Sequence, residues 1–384
     1  MPDLTELRAA VVGTGFVGVL HVEALRRLGV EVLGVVGSSP ARARAKGLTV
    51  PLPEPYDDLE ALLADPHVDV VHVTTPNHLH HEQVKAALAA GKHVVCEKPL
   101  GLDAAQSAEL LELAERSGLV HCTNFNVRFY PQCQEARALV ADGRIGDVWN
   151  VHGGYLQDWL LLATDWNWRL EPGRGGDLRA VADIGSHWLD LVQFVTGRPV
   201  VELVADLATT IPVRRRPVGD VETFAASDDV EREDAPMSTD DVAHVLLRFG
   251  GGGLGSMVVS QVSAGRKNSL RFEVDGSLGA LAWDSERPEE LWLGHRDRPN
   301  EVLLRSPALL EPEAAVRTTL PAGHAEGFAD TFKELYRAVY SAVAAGAMPD
   351  EPDFPTFADG HRENVLADAV LRSARERRWV DARA

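Results

Sequence analysis

Cysteine is scarce in this chain. Cys96, Cys122 and Cys133 are the three in 384 residues, and no two have Cys-x-x-Cys spacing. That excludes a zinc knuckle and a dithiol redox motif, and it fits reduced, buried thiols in a cytoplasmic protein. Basic residues are also in deficit: 38 Lys and Arg against 57 Asp and Glu give a formal charge of −19. So acidic a surface repels phosphate backbones and anionic lipid, so neither nucleic acid nor a membrane is expected as a partner. A local basic pocket for a phosphorylated cofactor stays open. No run reaches the roughly 18–20 uninterrupted apolar residues of a membrane span. The opening MPDLTELRAAVVGTGF has no basic segment followed by an apolar run and a cleavage site, so no secretory leader is expected.

What the chain does have is a hydrophobic fraction of 45%, enough to bury a core in each of two domains. Up to residue 126, short apolar runs alternate with helical spacing. Ala9–Val12, Val32–Val36, Val68–Thr74, His93–Cys96 and Val120–Thr123 read as strands. Val17–Leu28, Ala41–Lys46, Leu59–Ala64, Leu79–Ala90 and Ala104–Ser117 read as helices, with Gly29, Gly91 and Gly118 placed as left-handed caps. This alternation predicts an α/β fold with a doubly wound parallel sheet over residues 1–126. Residues 127–384 read as a second α/β domain with a large, mostly antiparallel open sheet. Its strands include Val148–Leu156, Val242–Phe249, Leu254–Val262, Leu270–Val274, Ala280–Trp283 and Glu290–Leu293. Helices are expected at Arg128–Ala141, Asp183–Val195, Glu326–Ala344 and Phe357–Arg377, the last two free to pack back on the first domain. Pro212–Pro236, rich in charge, reads as a long exposed loop.

Two features of the first domain point to a dinucleotide. Gly13-Thr14-Gly15-Phe16-Val17-Gly18 is a complete GxGxxG between a strand and a helix. Gly13 permits the tight turn, Gly15 lets the backbone approach a pyrophosphate, and Gly18 lets helix and sheet pack closely. The helix N-terminus then offers free N–H groups to phosphate. At the end of the second strand, where an NAD enzyme usually places Asp or Glu, stands Gly37-Ser38-Ser39-Pro40-Ala41-Arg42. Ser38, Ser39 and Arg42 suit a 2′-phosphate, which favours NADP over NAD. The alternative is a Ser-Pro helix cap with Arg42 in solvent. Thr75, Pro76, Asn77 and His80 follow the strand ending at Thr74, at the carboxyl edge where such sheets bind ligands.

Two further segments carry chemistry. Glu97-Lys98-Pro99 directly follows the strand His93–Cys96, so Lys98 is placed to bond a substrate oxygen and stabilise developing alkoxide charge. Pro99 is a candidate for a cis peptide. Asp183 and His187 are four apart, on one face of a helix, where a carboxylate orients an imidazole that accepts a hydroxyl proton. The bland alternative is an N-cap aspartate and a packed histidine. A carboxylate and one imidazole do not complete a metal's ligand set, so no metal is expected.

GTGFVG, TTPNHLHHE, CEKPL, FNVRFYP and DIGSHWLDL, in this order and spacing, resemble the Gfo/Idh/MocA oxidoreductases. The resemblance implies a Rossmann domain, a second domain whose open sheet makes homodimer or homotetramer contacts, and a nicotinamide cofactor. It implies catalytic roles for Lys98, Asp183 and His187, and it places Asn126 near the nicotinamide; Glu97 is counted among the expected cofactor contacts. Residues 154–159 look like the segment preceding the catalytic helix in sugar-oxidising members. Tyr155, Gln157, Asp158, Trp159, Trp168 and Arg169 are therefore expected to line a sugar or polyol site, with Trp166, Arg266–Asn268 and His324–Glu326 as further candidates. The expected activity is hydride transfer between NAD(P) and a secondary hydroxyl or ketone of a sugar or polyol. Transient oxidation in a glycoside-cleaving enzyme and a non-catalytic sensor remain as alternatives.

Overall fold

A computed structural model describes residues 3–171, 173–218 and 231–383. The chain forms two compact units, one of Met1–Asn126 with Ala329–Asn364, the other of Val127–Phe328 with Val365–Ala384.

The first unit holds five parallel strands: β1 (Arg8–Val12), β2 (Glu31–Val36), β3 (Val70–Val73), β4 (His93–Cys96) and β5 (His121–Thr123). Their order is β2-β1-β3-β4-β5. The chain leaves β1 toward β2 on one side and returns to β3 on the other, so the strand order reverses beside β1, where open α/β sheets bind ligands. Helices α1 (Phe16–Arg27), α2 (Pro40–Gly47), α3 (Leu59–Ala64), α4 (His80–Ala89) and α5 (Ala104–Ser117) connect the strands. Every residue of β3 is buried, as expected of a parallel strand covered on both faces. Asp58 and Asp103 cap α3 and α5 through their side chains, and Gly118 ends α5 at φ 67. Two long helices come later in the chain: α9 (Phe328–Ala345), almost wholly in this unit, and α10 (Phe357–Glu376), which begins here and ends in the second unit.

The second unit is built on a nine-stranded sheet. Its strands are β6 (Val148–Leu156), β7 (Val200–Ala208), β10 (Val242–Phe249), β11 (Leu254–Ser260), β12 (Ser269–Gly276), β13 (Ala280–Asp284), β14 (Glu290–Gly294), β15 (Glu301–Leu304) and β16 (Val380–Asp381). They run in the order β15-β14-β13-β12-β6-β11-β10-β7-β16, antiparallel except where β6 pairs with β11. One face packs on α6 (Pro131–Ala141) and α7 (Ser186–Thr196), with Trp188, Leu203, Leu247 and Phe272 in the core. A short helix, α8 (Pro312–Ala315), packs beside α6. Along β10 burial alternates strictly: Ala243, Val245, Leu247 and Phe249 are buried, while His244, Leu246 and Arg248 face outward. That alternation marks a sheet with one open face.

One expectation is corrected. The stretch read as a long exposed loop forms a ladder at its described ends, β8 (Val213–Pro217) against β9 (Arg232–Pro236); residues 219–230 lie outside the described residues. Arg214 on β8 is fully buried against Asp241. Charge in sequence signals exposure, but an arginine paired with a buried carboxylate does not obey that signal.

Several histidines in the first unit are held uncharged. His121 Nδ1 accepts the Phe357 N–H at 3.2 Å, so this nitrogen has no room for a proton. Burial, slightly offset by the Asp359 charge, pushes its pKa down to about 4. Between about pH 6.5 and 4 the unfolded chain binds a proton that the folded chain refuses. Stability present above pH 6.5 is therefore lost as pH falls, by on the order of 3 kcal/mol from this residue. Urea unfolding of the wild type and of His121→Gln at pH 7 and pH 4.5 will show a shallower acid loss in the variant.

Candidate functional site

The cofactor half is built in the first unit. Because the sheet is parallel, the segments after β1, β2, β3, β4 and β5 all emerge at one edge. That edge collects Gly13–Val17, Ser38, Ser39, Thr75–Asn77, Glu97, Lys98 and Asn126. The glycines divide their work sharply. Gly13 stands at φ 114, and a Cβ there would meet Thr74 Oγ1 at 2.5 Å; one on Gly18 would meet the Gly13 carbonyl at 2.1 Å. Gly15 has nothing within 4 Å of its would-be Cβ. It occupies the N-cap of α1 without a side-chain cap, and the first turn carries no acid. The helix start is thus open, uncapped and free of negative charge, a cradle that fits a dinucleotide pyrophosphate.

Around this edge the loops are tied together. Thr74 Oγ1 donates toward the Val12 and Gly13 carbonyls, and Thr75 Oγ1 donates to Gln83 at 2.6 Å. Ser39 accepts the Arg42 N–H at 3.3 Å as the N-cap of α2, while Ser38 and Arg42 are exposed. Asn126 donates to Thr331 Oγ1 at 2.7 Å. The Lys98–Pro99 peptide is cis. His80 lies between the Thr75 and Pro99 carbonyls, each 2.8 Å from a ring nitrogen, linking the loop after β3 to the loop after β4. Only an imidazolium would donate both bonds. Burial, the strongest influence on this ring, lowers its pKa despite the two carbonyls.

Beneath Lys98 runs a buried chain of polar groups that the sequence reading passed over. Glu97 Oε1 is 3.1 Å from His21 Nε2 and also accepts from Asn124. His21 Nδ1 is 2.9 Å from His72 Nδ1, and His72 Nε2 is 2.9 Å from the Tyr340 hydroxyl. With both rings neutral the bonds run one way, Tyr340 donating to His72, His72 to His21 and His21 to Glu97; a charged His21 instead donates to both Glu97 and His72, and His72 then donates to the Tyr340 hydroxyl. Burial pushes the Glu97 pKa up, but the bond and charge of His21, the Lys98 charge and the Asn124 amide outweigh it, so the carboxyl stays ionised. Burial, with the His21 charge, drives His72 well below its ordinary value. The only signal in the sequence was a histidine inside the apolar strand Val70–Val73, where a neutral side chain needs partners.

The second unit holds the other candidates. Tyr155 and Gln157, at the end of β6, both donate to Asn268 Oδ1, at 2.6 and 2.8 Å. Trp159 Nε1 donates to Gln157 at 2.7 Å. Asp158 is taken by Lys267 at 2.7 Å and the Gly265 N–H at 3.0 Å. Trp159, Trp166 and Trp168 are half-buried and stand outside the hydrophobic core, unlike Trp188 and Trp283. Arg169 stacks on Trp168 with its guanidinium carbon 4.4 Å from the ring centre, a cation–π contact.

Asp183 does not cap a helix. It lies within a π-helical turn, Val181–Gly185, that runs directly into α7, a local widening frequent at functional sites. Its carboxylate accepts from Arg169 Nε and from Gln261 Nε2, each at 2.9 Å. His187, one turn on, is half-buried, its ring 6.3 Å edge-on from Tyr155. Burial and the Asp183 charge keep the Tyr155 phenol protonated well beyond the ordinary range, so it acts as a donor. Gln261 was invisible beforehand, since nothing in β11 and its following turn marks it. His152, Glu273 and Asp275 form a separate group on the outer face of the sheet, with imidazole to carboxylate distances of 3.8 Å.

Residues 7–125 match the family model described as GFO_IDH_MocA, an oxidoreductase family with an NAD-binding Rossmann fold, and residues 133–282 match the GFO/IDH/MocA C-terminal domain. The levoglucosan dehydrogenase of Pseudarthrobacter phenanthrenivorans is 28% identical over 393 residues, 98% of each chain. A solved structure of levoglucosan dehydrogenase with NADH and L-sorbose superposes with a TM-score of 0.87 at 27% identity, covering 98% of this chain and 99% of that one. An oxidoreductase domain protein from Kribbella flavida is 30% identical with a TM-score of 0.87, over 99% of this chain and all of its own.

The relay beneath Lys98 makes a prediction. His72→Phe leaves the Tyr340 hydroxyl and His21 Nδ1 buried without partners, at roughly 1–3 kcal/mol each. Thermal or urea unfolding measures the loss; a variant as stable as wild type would mean that the two bonds made by His72 carry no net weight.

Proposed function

This chain belongs to the Gfo/Idh/MocA oxidoreductases, with their NAD-binding Rossmann fold, and we propose that it exchanges a hydride with a secondary hydroxyl or ketone of a sugar or polyol. The observation that carries the cofactor half is the open, uncapped start of α1 over Gly15 between tightly packed Gly13 and Gly18. The substrate class is supported by full-length likeness to a levoglucosan dehydrogenase. It is also supported by the aromatic faces beside Asn268, Gln157 and Asp183, since a sugar offers C–H faces and hydroxyls together.

The bound nicotinamide supplies the hydride acceptor at its C4. Lys98 donates to the substrate oxygen and stabilises negative charge as the C–H bond breaks. His187 removes the hydroxyl proton, and Asp183, fixed by Arg169 and Gln261, supplies the standing negative charge that favours an imidazolium. In sum, a secondary alcohol and NAD(P)⁺ give a ketone, NAD(P)H and one proton. In the reverse direction the His187 imidazolium returns the proton to the oxygen while Lys98 still donates a hydrogen bond to it. Use of NADP beside NAD is supported by the tip of β2, where Ser38 and Arg42 are exposed and no acid stands among residues 37–42. Self-association into a homodimer or homotetramer is supported by the outer face of the nine-stranded sheet, where Leu246, Leu254, Val302 and Leu304 are each more than half exposed.

A panel of sugars and polyols, offered with NAD and NADP and read by nicotinamide absorbance, tests the activity. Net reduction with at least one sugar is expected. His187→Ala is expected to lower kcat by about 10²–10⁴, and Lys98→Ala by about 10²–10³, with nicotinamide binding retained. Sugar release from a glycoside without net absorbance change would replace the proposal by transient oxidation. Sedimentation velocity tests the assembly: the wild type is expected to run as a dimer or tetramer, and Leu246→Glu to shift it toward monomer. A monomeric wild type would discard the sheet contact.

A further inference from the structure

The hairpin of β8 and β9 holds the loop 157–170 by its backbone. Three consecutive carbonyls of that loop are taken. Leu162 O accepts from Arg214 Nη1 at 3.0 Å, Ala163 O from the Arg215 N–H at 2.8 Å, and Thr164 O from Arg232 Nη1 at 2.7 Å. The loop has little structure of its own beyond a short turn at Trp168–Leu170, and Leu162, Ala163 and Thr164 are exposed. It nevertheless carries Trp159, Trp168 and Arg169.

The grip is anchored in buried charge. Arg214 Nη2 donates to Asp241 Oδ1 at 2.8 Å, and Arg179 Nη2 reaches the same oxygen. Asp241 Oδ2 accepts the Ile211 N–H at 2.8 Å. Its neighbour Asp240 accepts the backbone N–H groups of Arg179 and Val181, at 2.6 and 2.8 Å, at the entry to the turn that presents Asp183. Gln261 closes the circuit: its N–H donates to the Asp241 carbonyl at 3.1 Å and its amide to Asp183. Removing such charges from water costs several kcal/mol per ion, and well-packed apolar side chains often stabilise as well. Directional bonds add registry instead: they fix where the loop stands relative to Asp183.

We propose that the β8–β9 hairpin is a specificity support, which sets sugar recognition by holding the loop 157–170 in register with Asp183 while touching no substrate itself. Arg214 is its principal positioning residue. The inference rests on the reading that this loop binds the sugar.

The test compares wild type, Arg214→Met and Arg232→Ala as full-length protein with NADH bound. Arg214→Met keeps the Arg179–Asp241 pair. Arg232→Ala alters a half-buried side chain outside the core, so it covers the case in which the buried variant fails to fold. Amide exchange of peptides spanning 157–170 is expected to rise about tenfold in the variants while exchange in α7 stays unchanged. The KM of the best panel sugar is expected to rise roughly tenfold, the effect of one lost charge-assisted bond, with kcat within about threefold and NADH affinity unmoved. Unchanged exchange overturns the grip. Faster exchange with unchanged KM overturns the specificity role, as does a loss of kcat and cofactor binding together. A wild type inactive on every sugar removes the functional reading and the specificity role with it, while the exchange data still judge the grip alone.

Discussion

Parallel strands impose one constraint from which the cofactor half follows. When every strand of a sheet runs the same way, each strand-to-helix loop is delivered to one edge and each helix presents its N-terminus there. Gly13–Val17, Ser38, Asn77, Lys98 and Asn126 are separated by up to more than a hundred residues of chain, yet the β2-β1-β3-β4-β5 order brings all of them to that edge. Close packing does the rest. Gly13 and Gly18 have no room for a Cβ, whereas Gly15 has nothing in front of it, so the same motif is tight where the fold needs contact and open where a ligand needs space.

A second theme is that the carboxylates nearest the candidate chemistry are held by other polar groups largely withdrawn from water. Glu97 rests on His21, Asn124 and, through His72, on Tyr340. Asp183 rests on Arg169 and Gln261. For Glu97 these partners, with the Lys98 charge, keep the group ionised against the pull of burial, and in each case multiple donors restrict its motion. A network of this kind contributes little net stability relative to an apolar core. Its value is geometric, which is what a site for hydride and proton transfer requires.

Much of this was legible in the sequence because periodic patterns report backbone geometry. Strands such as His93–Cys96 and Val242–Phe249 fall where the apolar spacing put them, and Gly13 and Gly18 of the GxGxxG are as tightly packed as their places in the motif require. The second domain's edges were harder. β15 and β16 are short and weakly patterned, and β8 and β9 were disguised by arginines whose partners lie elsewhere in the chain. The site's supporting residues were least legible. Gln261, Asp240, Asp241 and His21 act through contacts tens of residues distant, and a single sequence records identity at each position, not the partner across space. Asp183 illustrates the limit well. Its spacing from His187 was plain, but the π-helical turn and its bonds to Arg169 and Gln261 depend on packing.

The central claim is direct hydride exchange with a sugar carbon. It is tested most directly with an oxidisable panel sugar deuterated at the reacting carbon, incubated with the enzyme and the oxidised cofactor. The reduced nicotinamide is then recovered and its mass measured. The account predicts one deuterium on the nicotinamide ring for each ketone formed. Ketone formed with an unlabelled nicotinamide, or deuterium lost to water, would contradict it.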